Sequence, residues 1–243
     1  MNNLIEVSDL HVRYGDYEAV KGVSFSLGKG EILGIVGESG SGKSTIAKTL
    51  MGLEKKSEGE IVWGRGRLAP ATKVSVQMIF QDAVGSLNPR MTVRQTLSEV
   101  LKIKQSNNLK SNNRTPERLL DLVGLSSAIL DQYPREMSGG QCQRVSIARA
   151  LACEPEVLIA DEPVSALDVS VQARVLNLLR DLRQQLGLSI LLIAHDLAVV
   201  KNVCDRICVM ERGLFVDTGD AAEVFDHPQS DYTRRLLSAV PRI

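Results

Sequence analysis

Apolar and polar positions change period several times along the chain, and the changes divide it into three stretches. Over residues 4–35 the pattern is that of strands: Ile5, Val7, Leu10 and Val12 come first, and 20–27 adds further β-branched and apolar residues. Ile32-Leu33-Gly34-Ile35-Val36 is a short apolar run closed by glycine, as expected of a buried strand. Helical spacing follows over 44–53, with Ile46, Ala47, Leu50 and Leu53 on one side, and 74–80 predicts another apolar strand. From about 84 to 152 the character changes: helices are predicted over 93–103, 116–123 and 141–152, with an exposed Asn- and Ser-rich loop over 104–115. Pro116 suits the first turn of its helix. An α/β rhythm then returns, with a strand over 157–160, an amphipathic helix over 171–186, a strand over 188–194 and a helix over 197–203. Strands over 207–211 and 214–218 flank Arg212-Gly213, a hairpin signal. The pattern predicts an α/β fold with a parallel core, an N-terminal antiparallel patch and an inserted helical subdomain.

Composition narrows the classes of function. The 243 residues suit one fairly large domain, 44% hydrophobic and 24% charged. Lys plus Arg and Asp plus Glu both total 29, so no basic surplus predicts attraction to nucleic acid or anionic lipid. The apolar runs, such as 188–194, are too short to cross a bilayer, and Met1 to Glu6 lacks the basic-then-apolar pattern of a signal peptide. The expectation is a cytoplasmic protein that serves a membrane, if it does, through a partner. Cys142, Cys153, Cys204 and Cys208 form no CxxC pair and read as reduced, small apolar residues, although Cys204 and Cys208 have the spacing to share a helix face.

Gly37-Glu38-Ser39-Gly40-Ser41-Gly42-Lys43-Ser44 fits G-x-x-x-x-G-K-[ST], after an apolar strand and at the start of a helix. Glycines let the loop fold tightly enough for successive N–H groups to face phosphate oxygens, and the helix N-terminus favours negative charge. Lys43 supplies a point charge to the β- and γ-phosphates, and the Ser44 hydroxyl suits Mg²⁺, with Thr45 completing the nucleotide-binding set. With Gly at about 7% of residues, a chance match anywhere in the chain has a probability of about 1%. The motif alone does not separate kinase, GTPase, helicase and transporter.

Val157-Leu158-Ile159-Ala160-Asp161-Glu162 is an apolar strand ending in two acids. Ligands of a parallel sheet sit at the C-terminal ends of its strands, so both acids approach the phosphate loop if the two strands are neighbours. Asp161 then suits the metal shell, and Glu162, one residue beyond the strand, suits a general base. A second phosphate-binding device follows: Ser138-Gly139-Gly140-Gln141 precedes an amphipathic helix that Ser138 can cap. One ATP site does not need both devices, which suggests a nucleotide held between two subunits.

With Met137-Ser138-Gly139-Gly140-Gln141-Cys142-Gln143-Arg144 the chain resembles the ABC ATPase family over nearly its whole length, Met137 replacing the usual leucine. The resemblance implies a P-loop NTPase (RecA-like) parallel-sheet core with an N-terminal antiparallel β subdomain and an inserted α-helical subdomain. The whole of 1–243 is then one nucleotide-binding domain, with the helical part at about 84–152 and a C-terminal tail at about 220–243. Tyr14 resembles the aromatic that stacks on adenine, and Gln81 the Q-loop glutamine that contacts Mg²⁺ or the lytic water and senses the permease. Ser165-Ala166-Leu167-Asp168 resembles the D-loop that crosses a dimer interface, and His195 the switch histidine at the γ-phosphate. The implied cofactors are ATP and Mg²⁺. The implied partners are a second ABC ATPase subunit, two integral membrane permease subunits and an extracellular solute-binding protein, with no nucleic acid.

Two stretches point to a branch. Gln81 to Met91 and the tail from His227 to Pro241 resemble the peptide and nickel importers, although Ala83 stands where that branch usually has proline. An iron–sulfur cluster of the kind held by longer cysteine-bearing tails is not expected. Peptide, nickel, metal-chelate and similar small-solute cargoes stay open. So does an ABC ATPase of a soluble complex, as in phosphonate breakdown. A nucleic-acid-linked ABC ATPase is opposed by the charge balance, and a kinase or GTPase by Ser138 to Gln141.

Overall fold

The computed structural model describes residues 3–64, 74–106, 114–165 and 167–238. Two strands, β1 (Asn3–Tyr14) and β2 (Tyr17–Gly28), open the chain as an antiparallel hairpin, and β4 (Glu58–Trp63) pairs with the other edge of β1. Their alternating burial leaves Ile5, Val7, Leu10 and Val12 facing inward. The second sheet has the order β5-β6-β7-β3-β8-β9, from β3 (Ile32–Val36), β5 (Val76–Ile79), β6 (Val157–Asp161), β7 (Ser189–Ala194), β8 (Arg206–Glu211) and β9 (Leu214–Asp220). Its first five strands are parallel, and β9 returns antiparallel to β8. Every residue of β3, β6 and β7 is buried, as expected of parallel strands covered on both faces.

Helix α1 (Lys43–Leu50) packs on this sheet. Helices α2 (Val93–Ser106), α3 (Pro116–Leu122) and α4 (Gly139–Leu151) pack on one another between β5 and β6 in sequence, and Leu97, Leu119, Leu120 and Ile147 are fully buried there. Helix α5 (Val169–Leu186) ends in Gly187 at φ 64°. Short α6 (Leu197–Val200), α7 (Ala221–Asp226) and α8 (Asp231–Ser238) complete the chain. The turn at Arg212-Gly213 has positive φ at both residues, the signature of a type I′ hairpin.

Several expectations need correction. Leu53 does not continue the apolar side of α1: the helix stops at Leu50 and Leu53 is exposed. Phe80, expected in a strand, lies beyond β5 and is exposed, and α6 ends at Val200 rather than at 203. Cys204 and Cys208 share no helix; Cys204 lies in the approach to β8 and Cys208 within it, and burial pushes the Cys208 thiol up to about 12. Lys104 to Ser106 belong to α2 rather than to a loop, while the remainder of that loop at 107–113, Ala166 of the D-loop and Ala239 to Pro241 of the tail lie outside the described residues.

Truncating Leu97, fully buried at the centre of the helical layer, leaves a cavity that close-packed neighbours fill only in part. Leu97→Ala is expected to lower the unfolding free energy by about 2–5 kcal/mol, measured by urea denaturation.

Candidate nucleotide site

The loop 37–42 leaves the C-terminal end of β3, near the middle of the parallel sheet, and delivers Lys43 to the first turn of α1. Two of its glycines have no substitute. A Cβ on Gly37 would stand 2.1 Å from the Met210 carbonyl oxygen, and one on Gly42 would stand 2.4 Å from that of Ala19, with φ at 111°. The loop is therefore pressed against β2 and β8, and Gly213 N–H donates to the Ser41 carbonyl at 2.9 Å.

A cavity of about 640 Å³ lies over this loop, lined by Tyr14, Glu38, Ser39, Gly40, Gly42, Lys43, Ser44, Thr45, Gln81, Glu162 and His195. Segments far apart in sequence thus meet around one space. Lys43 is almost fully buried, and its Nζ donates to the Glu38 carbonyl at 2.8 Å. Burial pulls the Lys43 pKa below the ordinary lysine value, against the attraction of Glu162, Asp161 and Glu38. Ser44 Oγ donates to Asp161 Oδ1 at 2.9 Å. Asp161 is pushed above the ordinary aspartate value, chiefly by burial, with the Ser44 bond opposing the shift and the nearby Glu162 adding to it.

The route by which Asp161 reaches Ser44 differs from the expected one. β6 is not the neighbour of β3; β7 lies between them. The bond forms because α1 packs across the sheet face towards β6 and carries Ser44 with it.

Glu162 follows β6 in the left-handed backbone region, at φ 46°, and its N–H donates to the Ile193 carbonyl at 3.0 Å. A non-glycine residue there stores strain, a recurrent property of functional positions. Gln81 Nε2 donates to Glu162 Oε2 at 2.9 Å, and His195 Nδ1 stands 4.0 Å from the same oxygen. Gln81, Glu162 and His195 come from the ends of three adjacent strands, β5, β6 and β7.

Tyr17, Ala19 and Ser165 also line the cavity. Tyr17 escaped sequence reasoning, although its signal was present: Gly15-Asp16 makes a tight turn, and the register sets Tyr17 opposite Tyr14. The residues Ser138, Gly139, Gly140, Gln141 and Asp168 do not line this cavity. Ser138 caps α4 reciprocally: its Oγ accepts the Gln141 N–H at 3.3 Å, and Gln141 Oε1 accepts the Ser138 N–H at 2.8 Å. Gly139 lines a second cavity of about 450 Å³, shared with Gln81, Asp82, Gln143 and Leu167. Asp168 is exposed at the N-cap of α5.

The raised pKa of Asp161 fixes a sign. The folded chain holds this proton more tightly than the unfolded chain, so stability falls as pH rises through the window above the ordinary value of 3.8. Asp161→Asn is therefore expected to be more stable than the parent at pH 7 without nucleotide, with the advantage shrinking towards pH ~4. Thermal unfolding at the two pH values measures it.

Comparisons with known proteins agree with this geometry. The family model described as ABC transporter matches residues 20–165. The oligopeptide transport ATP-binding protein OppF of Lactococcus lactis subsp. lactis is 44% identical over 262 residues, spanning 100% of this chain and 82% of that protein. OppF of Haemophilus influenzae is 49% identical over 232 residues, spanning 92% of this chain and 70% of its own length. Among solved structures, cbiO1 of Clostridium perfringens, part of the ABC transporter complex cbiONQ, superposes with a TM-score of 0.79 at 28% identity, covering 93% of this chain and 92% of that one. Motifs, fold and relatives coincide, and the chain belongs to the ABC transporter family.

Proposed function

We propose that this chain is the ATP-hydrolysing subunit of a peptide importer. One observation carries the reading: a single cavity gathers the phosphate loop, Gln81, Glu162 and His195, in a chain 44–49% identical to ATP-binding proteins of oligopeptide transport. Peptide is favoured over nickel as cargo by the names of those relatives.

The roles follow from position. Tyr14 stacks on the adenine, and the loop from Gly37 to Gly42, with Thr45 at the start of α1, gives backbone N–H groups to the phosphates. Lys43, already desolvated, loses little further hydration when it meets the β- and γ-phosphates. Glu162 Oε2 accepts a proton from the attacking water, which Gln81 Nε2 helps to orient from 2.9 Å away on the same oxygen. His195 meets the charge that develops on the γ-phosphoryl group.

Mg²⁺ fits the donor set, which is a hydroxyl, a carboxylate and an amide oxygen: Ser44, Asp161 and Gln81. Among the described residues no group of three or more His, Cys, Asp and Glu side chains could hold a metal, and phosphate oxygens of a bound nucleotide would supply further ligands. When bound, the ion neutralises charge on the β- and γ-phosphates.

Ser138 to Gln141 and Asp168 do not line the cavity of their own chain, which supports pairing with a second ABC ATPase subunit whose α4 N-terminus reaches the γ-phosphate. No helix among the described residues is long and apolar enough to cross a membrane. In this reading the chain is held at the cytoplasmic face by two integral membrane permease subunits, which receive cargo from an extracellular solute-binding protein. In this reading 1–243 is one nucleotide-binding domain, with 84–152 as its helical part and 220–243 as its tail.

Membrane extraction and affinity capture test the partners: two integral membrane subunits are expected to co-purify, and recovery with soluble proteins alone would overturn the transport assignment. Glu162→Gln is expected to bind ATP as the parent does and to hydrolyse it about 10²–10⁴-fold more slowly; parental turnover would remove Glu162 from the role of base. Lys43→Ala is expected to lose ATP affinity in a titration with labelled nucleotide.

A further inference from the structure

The back of the phosphate loop is tied to the C-terminal helix. Tyr232, in the first turn of α8, buries its ring in the main core, and its hydroxyl accepts the Glu38 backbone N–H at 2.9 Å across 194 residues of sequence. The carbonyl of the same Glu38 accepts Lys43 Nζ at 2.8 Å and the Ser41 N–H at 3.2 Å. One loop residue is thus held from behind by the tail and grips the lysine ammonium in front.

The anchor itself is firmly built. Asp217 Oδ2 in β9 accepts the backbone N–H groups of Gln229 at 2.8 Å and Ser230 at 3.1 Å, just before α8. Ser230 Oγ accepts the Thr233 N–H at 3.0 Å, and Thr233 is fully buried. The Arg235 guanidinium stands 5.9 Å from the Tyr232 ring centroid and 3.9 Å from the Glu211 carboxylate. The ring has no freedom to swing away, so its oxygen is a fixed point against which the loop is set.

We propose that Tyr232 is a positioning residue for nucleotide binding: its hydroxyl holds the backbone at Glu38 from the amide side, and the Glu38 carbonyl, on the other side of the same Cα, sets the place of the Lys43 ammonium. The Glu38 N–H is thus satisfied from outside the site. Without the hydroxyl, this part-buried donor lacks its partner, the Gly37–Glu38 peptide turns towards another acceptor, and the shifted Glu38 Cα moves the carbonyl of the next peptide off Lys43. The inference rests on the proposed role of Lys43 in holding phosphate.

Tyr232→Phe removes only the oxygen. In the full chain, the Kd for ATP is expected to rise about threefold to tenfold, the span of one lost hydrogen bond, with kcat/KM falling in step. In a Lys43→Ala background the same change is expected to alter the remaining affinity by less than about twofold, because the residue acts through that lysine. A tail that serves only the fold would lower Tm in both backgrounds and leave the Kd of the folded protein unchanged. Parental Kd and kcat/KM in Tyr232→Phe, or an equal loss in both backgrounds, would overturn the proposal. If Lys43→Ala itself bound ATP normally, the assignment of the nucleotide site would fall instead. Amide exchange on the unmodified chain gives a readout that needs no variant: the Glu38 N–H is expected to be protected without nucleotide, and an unprotected amide there would overturn the contact.

Discussion

An ammonium group held out of water is the constraint around which the molecule is arranged. Lys43 is almost fully buried, and burial works against its charge. Three acids, Glu162, Asp161 and Glu38, offset part of that cost by their fields, and the Glu38 carbonyl accepts one of its protons. Asp161 suffers the same desolvation and is pushed towards the neutral form. The nucleotide-free site is thus a set of charges that water would solvate better than the protein does. A phosphate oxygen would give the Lys43 ammonium a partner of opposite charge where water is excluded.

Keeping such a site from collapsing falls to the scaffold. β3 is flanked by β7 and β8, so the strand that launches the phosphate loop cannot shift without tearing two ladders. The loop is pressed on β2 and β8 through Gly37 and Gly42 and held by Gly213. The helices between β5 and β6 share a core with the sheet through Ile79, Leu158 and Ala160, and the capped start of α4 does not line the cavity.

Much of this was legible because it is local. The glycine and lysine spacing of 37–44, the Ser138 cap and the positive-φ pair Arg212-Gly213 each declare a geometry within a few residues. What stayed hidden was set by distant partners or by weak periodicity. β4 lacks a clean alternation and contains Gly59, whose φ is 89°, so it does not announce itself as a strand. Leu53 matches the helical period but lies beyond the end of α1, where no neighbour covers it. The insertion of β7 between β3 and β6 is a matter of topology, and no short motif encodes it. Tyr232 lies in a helix of eight residues, too short to stand out from the chain around it, and the partner of its hydroxyl is a backbone amide that carries no side-chain signature.

The backbone at Glu162 has a consequence for how the sequence can drift. At φ 46°, β-branched residues are excluded by their own side chains, and glycine would relax the peptide. The substitution that this backbone would welcome most is therefore one that deletes the carboxylate.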